Sequence, residues 1–360
     1  MDHRFHVFYT YKFNLCLLGT GGRGSREDMV YNKSLPDYRS KEHNVLYIIG
    51  NGFDLYHDLN TKYFDFYNWA KEKYPNFIYM MEHLYPKIDP KDNKLMLWKD
   101  FEEALKHNED LQKIHEFTLD YVSDFESLPI EKQQTFASEK VKETLDKIAP
   151  YFKEWVDTFS EKYKDLQKIL PLGKNSKYIT FNYTRVLEDV YDIDGKEHVW
   201  HIHGSVNDEN VITGYDTGLF SETIFGTAIE EASEREILQE LQKMRKPTET
   251  IYTNRPKAFK DPLYEINTII VIGHSLADVD ISYFRYMIKH LSDYNDIEWQ
   301  FWVHKEEAQE NIHERVKQLR SENICFENKI SESRCKYCIM DDWKKIEKRI
   351  RKQSETILFE

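Results

Sequence analysis

An apolar run that ends in two glycines and an acid, Val45-Leu-Tyr-Ile-Ile-Gly-Asn-Gly-Phe-Asp54, limits what this chain can become. Tyr47, Ile48 and Ile49 favour a buried, pleated strand. Gly50 and Gly52 then permit a tight turn whose backbone lets a pyrophosphate come close. A strand that empties onto such a turn predicts a nucleotide site, with Gly50, Asn51, Gly52, Phe53 and Asp54 as its first candidate binding residues.

A second glycine cluster, Gly19-Thr-Gly-Gly-Arg-Gly24, spells a three-glycine dinucleotide fingerprint. That fingerprint works only where its last glycine opens a helix packed on the strand. The polar, aperiodic residues 25–36 follow instead, so this loop reads as a decoy. Residues 1–42 are expected to form a loosely attached extension, with Met29 an alternative start.

Beyond Asp54 the apolar period becomes helical, with Leu59, Tyr63, Phe66, Tyr67 and Ala70 on one face and Asn60 or Thr61 placed to cap it. Residues 73–176 read as a large α-helical insertion, without glycine from 53 to 172, whose charges form a solvated face and whose Trp98 and Trp155 serve packing. One apolar stripe runs from Val141 to Ile169, and Pro150 should kink or divide it. From 177 the texture changes to short β-rich runs at 178–181, 198–202, 211–213, 267–272 and 298–303, with helical periods near 185–191, 219–244, 281–291 and 305–320. Alternation of this kind predicts an α/β, Rossmann-like fold, a mostly parallel sheet with helices on both faces. Its core is assigned to 43–72 and 177–330, and residues 331–360 to a C-terminal helical tail.

The 360 residues, 40% hydrophobic and 14% aromatic, can bury a substantial core. With 63 acidic against 50 basic residues the formal charge is -13, which disfavours nucleic acid as a partner. Four cysteines without framework spacing point to the reducing cytoplasm, and Cys335-Lys-Tyr-Cys338 lacks the further ligands of a zinc site. The apolar patch Phe13–Leu18 is far shorter than the roughly 20 residues that span a bilayer, so no membrane partner is expected.

In a parallel α/β sheet, ligands bind where strands end. Three more strand-end clusters carry polar groups there: Phe181-Asn-Tyr-Thr184, His201-Ile-His-Gly-Ser205 and Gly273-His-Ser-Leu-Ala-Asp-Val-Asp280. Their candidates are Asn182, His203, Gly204, Gly273, His274, Ser275, Asp278 and Asp280. Each has a plain structural alternative. Thr184 is a natural helix cap, Asn182 can bond its own turn, His203 a neighbouring carbonyl, and one of Asp278 and Asp280 can cap the helix that follows. His201 and His203, two apart on a strand, share a face and could begin a metal site completed by a carboxylate.

In combination, Ile49-Gly-Asn-Gly-Phe-Asp-Leu55, Thr61-Lys-Tyr-Phe-Asp-Phe66, Phe181-Asn-Tyr-Thr184, His201-Ile-His-Gly204 and Ile272-Gly-His-Ser-Leu-Ala-Asp-Val-Asp280 resemble the AbiH family of bacteriophage abortive-infection proteins across about residues 44–305. The blocks also resemble sirtuin-like NAD-binding domains at a distance. That likeness implies Gly50 and Gly52 as the dinucleotide turn, Asn182 as the orienter of water or ribose, His203 as the base and Ser275 beside the adenosine half. The paired zinc-ribbon cysteines and the acidic-aromatic-arginine stretch of true sirtuins are missing, which argues against protein deacetylation.

The implied function is antiphage defence through NAD binding and hydrolysis of the nicotinamide-ribose bond, with Asn182 and His203 catalytic. An unregulated enzyme of this kind would kill its host, so a phage or host protein trigger, or assembly into a homo-oligomer, is expected. Two alternatives stay open: a non-catalytic NAD or ADP-ribose sensor, and a metal-dependent phosphoesterase built on His201, His203 and an aspartate.

Overall fold

A computed structural model of the chain describes residues 44–85, 98, 101–106, 129–209, 211–215, 237, 239–260, 265–291, 297–322 and 324–340. The N-terminal extension with its 19–24 loop, most of the 219–244 helical period and the end of the tail lie outside the described residues. All described residues belong to one unit, Asn32–Glu360.

From β1 (Val45–Ile49) the chain passes through α1 (Asn51–Tyr56), α2 (Tyr63–Lys73), α3 (Pro75–Leu84), α4 (Phe101–Lys106), α5 (Ile130–Asp146) and α6 (Ile148–Asp157). It returns to the sheet as β2 (Lys177–Thr180), α7 (Val186–Asp189) and β3 (Val199–His201). After α8 (Thr248–Thr253) come β4 (Thr268–Ile272), α9 (Asp278–His290), β5 (Glu298–Val303), α10 (Glu306–Ser321), α11 (Ile324–Lys329) and β6 (Cys335–Ile339).

The six strands form one sheet in the order β3-β2-β1-β4-β5-β6, and every pairing is parallel. This is an α/β fold with helices on both faces. Because side chains alternate along a strand, β1 divides its apolar residues between two cores. Tyr47 and Ile49 pack with Tyr178, Ile272 and the helices α2 to α7, whereas Leu46 and Ile48 pack with Ile179, Val271 and helices α8 to α11. Every residue of β1 is buried, as expected of a central parallel strand covered on both sides.

Several sequence expectations change. Residues 335–339 are not helical but form β6, pairing with β5 from Trp299↔Cys335 to Val303↔Ile339; the two cysteines are strand residues with no disulfide. Val211–Thr213 is not a strand: the Ile212 N–H donates to His203 O at 2.8 Å, so this segment is a loop lying against the third strand-exit turn. The helical stripe divides at Lys147 rather than at Pro150, which sits in the first turn of α6, where its missing N–H costs nothing. Neither Asn60 nor Thr61 caps α2; Lys62 occupies the cap position, and its N–H donates to Asp65 Oδ2 at 3.1 Å.

The turn after β1 and the turn after β4 touch backbone to backbone. Gly50 N–H donates to Ile272 O at 2.9 Å and Gly52 N–H to Gly273 O at 2.8 Å. A Cβ on Gly52 would lie 2.6 Å from Gly273 Cα, and one on Gly273 would lie 2.4 Å from Phe53 N. Gly273 also holds a φ of 63°, in the left-handed region that side chains disfavour. The glycines are therefore required first by this close approach. Gly273→Ala is expected to lower unfolding free energy by about 2–3 kcal/mol in urea titration; unchanged stability would contradict the contact.

Candidate functional site

Connections from β1 and β4 depart in opposite directions along the sheet, so their carboxyl ends leave a crevice between them. A cleft of about 700 Å³ opens there, within the range of small-molecule sites. It receives the exits of β1, β2 and β4, and the turn after β3.

Of the residues expected from sequence, Gly50, Asn51, Gly52, Asp54, Asn182, His203, Gly273, His274, Ser275, Asp278 and Asp280 line this cleft. Phe53 and Gly204 do not. Phe53 is buried beneath the turn, its ring 4.5 Å from that of His57 and 5.8 Å from that of Tyr191, because α1 begins at once and turns this side chain into the core. Gly204 is a turn residue, with a φ of 80° and its N–H on His201 O at 3.1 Å.

Asn182 ties the exits of β1 and β2 together: its Nδ2 donates to Gly50 O at 3.1 Å, and its own N–H donates to Thr180 Oγ1. Asn51 makes a reciprocal pair with Thr61, donating from Nδ2 to Thr61 O at 2.9 Å and accepting the Thr61 hydroxyl on Oδ1 at 2.6 Å. That pair pins the loop between α1 and α2 over the cleft. Thr184 caps no helix; its hydroxyl donates to Asp54 Oδ2 at 2.7 Å.

His201 and His203 do not share a face. β3 ends at His201, so strand alternation stops before residue 203. His201 spends Nδ1 on Asn182 O and Nε2 on Glu188 Oε1, both at 2.9 Å, leaving no nitrogen for a metal. Burial pushes the Glu188 carboxyl up, but the His201 hydrogen bond and nearby positive charge outweigh it and hold it below the ordinary range. Among the described residues no group of three His, Cys, Asp or Glu side chains could hold a metal ion.

His203 turns instead toward Asp280. Its ring is 3% exposed and lies among Phe181, Tyr183 and Tyr283, with Nε2 3.9 Å from Asp280 Oδ1 and without a hydrogen-bond partner among the described residues. Burial, aided by Lys246, drives its pKa well below 6.5 against the opposing pull of Asp280, so the ring is neutral at pH 7. His274 is held near 4 by burial, and the Leu276 N–H donates to its Nδ1 at 3.0 Å.

Beneath the floor, behind Glu102 and Asp280, lies a charged group that the sequence did not reveal. Lys246 follows the bridge between Tyr215 and Arg245, and its side chain is wholly buried; Nζ lies 2.9 Å from Glu102 Oε2 and 3.1 Å from Asp280 Oδ1. Burial works against this ammonium, but Asp280 and Glu102 prevail and hold its pKa above the usual value. Burial also raises Glu102 to about 7. Asp280 stays below the ordinary carboxylate range, since Lys246 and the neighbouring histidines outweigh burial.

The helical insertion builds a wall of the cleft and is not simply a solvated appendage. Glu102 of α4 and Phe152, Trp155 and Val156 of α6 face the cavity, together with Tyr63 of α2. Their rings form one aromatic surface, Tyr63 to Phe152 at 5.9 Å and Phe152 to Tyr183 at 4.8 Å between centroids. At the mouth, Arg315 of α10 pairs with Asp278 Oδ1 at 2.6 Å, so neither Asp278 nor the buried Asp280 caps α9. Tyr63 lies in the Thr61–Phe66 block noted in the sequence, the one available signal for this wall.

Fold and cleft define a parallel α/β protein with a ligand-sized site at its strand exits. The chain belongs to the bacteriophage abortive infection AbiH family, whose family model matches residues 46–303. That membership points to phage defence by abortive infection. No curated protein and no solved structure matches the chain. No helix among the described residues is long and apolar enough to cross a membrane.

Asp54 supplies a direct electrostatic test. It is 1% exposed, Oδ1 has no hydrogen-bond partner among the described residues, and burial raises its pKa from 3.8 to about 7 against the pull of Thr184 and Asn182. The native state thus holds a proton between those values that the unfolded chain releases, and it loses that stabilisation as pH rises through the window. His203 and His274 act oppositely below 6.5, where unfolding takes up protons. Comparing Asp54→Asn with wild type isolates the carboxylate: the variant's relative stability should grow by on the order of 2 kcal/mol from pH 5 to pH 8 in denaturant titrations. A difference independent of pH would contradict the buried acid.

Proposed function

We infer that this cleft binds NAD and that the chain hydrolyses the bond between nicotinamide and ribose. The observation that carries the reading is the convergence on one cavity of the Gly50 turn, Asn182 and a buried His203 whose Nε2 has no hydrogen-bond partner among the described residues. Two features support it further: the strand order matches that of doubly wound dinucleotide-binding sheets, and the strand-exit blocks resemble sirtuin-like NAD-binding domains. Adenosine would lie toward Ser275, with the ribose between Asn182 and His203.

In the reaction, water attacks ribose C1′ while the C1′–N bond breaks, and the bonding pair stays on the nicotinamide nitrogen. The proton of water passes to His203 Nε2 and then to solvent, so the products are nicotinamide, ADP-ribose and a proton. A neutral imidazole suits this task, and general-base assistance contributes about 10² to 10⁴ in rate. The aromatic wall from α6 keeps bulk water from the reacting carbon.

One observation favours a sensor as the second reading. Glu102, Phe152 and Trp155 face the cavity, so occupancy of the cleft reaches the helical insertion directly. A sensor would bind NAD and release no product.

Nicotinamide release, followed by chromatography with purified protein and in cells under phage infection, tests the hydrolase. His203→Ala should retain NAD binding and lose about 10² to 10⁴ of turnover. Equal inertness of wild type and variant in both settings would overturn it. The pH profile identifies the base: with Lys246, Asp280 and His274 facing His203, its activity limb should fall well below pH 6.5, whereas a limb near 7 would assign the role to a buried carboxyl, Asp54 or Glu102.

A further inference from the structure

The reaction above makes no use of the charge beneath it. Two carboxylates, Glu102 and Asp280, share one buried ammonium, Lys246. Around Asp280 stand two imidazoles, His203 Nε2 at 3.9 Å from Oδ1 and His274 Nε2 at 3.6 Å from Oδ2. Since His274 Nδ1 accepts the Leu276 N–H, the neutral ring carries its hydrogen on Nε2, the nitrogen that faces Asp280. Asp280 also lies in the first turn of the 13-residue helix α9, where backbone N–H groups favour an anion. A sign of a ligand separate from the carboxylates is the buried His203 Nε2, which has no hydrogen-bond partner among the described residues and lies beside the same cavity. Two carboxylates share one ammonium among neutral rings, so with Glu102 ionised the sheltered cluster carries net negative charge and can receive a cation.

We propose that Asp280 is the cation-facing group of the cleft, recognising the pyridinium-ribose end of oxidised NAD and the positive ribose that forms as the C1′–N bond breaks. Lys246 is its positioning residue, and Glu102 anchors that lysine to the helical insertion. The inference rests on the NAD reading and extends it to a choice between cofactor forms: NAD carries a charged ring, whereas the NADH ring is neutral.

Calorimetric titration of the full chain with NAD and with NADH, alongside nicotinamide release, tests it. Wild type should bind NAD at least about 10-fold more tightly than NADH. Asp280→Asn should abolish the preference and lower nicotinamide release about 100-fold. Because that change leaves the buried ammonium with Glu102 as its one carboxylate partner among the described residues, the double variant Asp280→Asn with Lys246→Met provides a second measurement, with thermal melting to verify the fold. A folded variant that keeps the preference, or a wild type without one, overturns the inference while leaving the NAD site standing. Binding of neither nucleotide overturns the NAD reading and this inference together. A preference for NAD without nicotinamide release supports the recognition role and removes hydrolysis.

Discussion

The close approach of the Gly50–Gly52 turn to Gly273 is the contact on which the site depends. Two strands that leave the sheet toward opposite sides are held there backbone to backbone, with no room for a Cβ. Asn182 extends the junction to a third strand through Gly50 O, and His201 extends it to the fourth through Asn182 O. One chain of hydrogen bonds thus fixes the rim of the cleft before any ligand arrives, and such preorganisation reduces the entropy lost on binding.

Charge is organised in a second layer below that rim. Lys246 connects α4 of the insertion to α9 of the core through Glu102 and Asp280. Removing one member of such a buried set leaves an uncompensated charge, so the arrangement is costly to break although its net contribution to stability is small. Its effect on the site is to keep Asp280 ionised while His203 stays neutral, two groups of different character within 3.9 Å.

The sheet was legible because parallel strands buried on both faces read as apolar runs: β1, β4 and β5 fall within a residue of their sequence assignments. β6 was not, since Cys335–Ile339 carries a lysine and only five residues of pattern. Strand-exit loops exposed Asn182, His203 and Asp280 as candidates through their polar clusters. Glu102 and Lys246 gave no such sign; each sits in a charge-rich stretch where a solvated face is the ordinary reading, and only tertiary packing brings them together across 144 positions. The helix caps expected at Asn60 or Thr61 and at Thr184 failed for a related reason, because Lys62 took the cap position of α2 and the two threonine hydroxyls went to Asn51 and Asp54.

Photolabelling with an azido-adenine analogue of NAD, followed by peptide mapping, tests whether these distant segments form one nucleotide-binding crevice. Saturable labelling, displaced by NAD, is expected on peptides containing residues 50–54, 152–156, 182–184 or 273–280. Label that NAD fails to displace, or that falls on the opposite edge of the sheet, would contradict it.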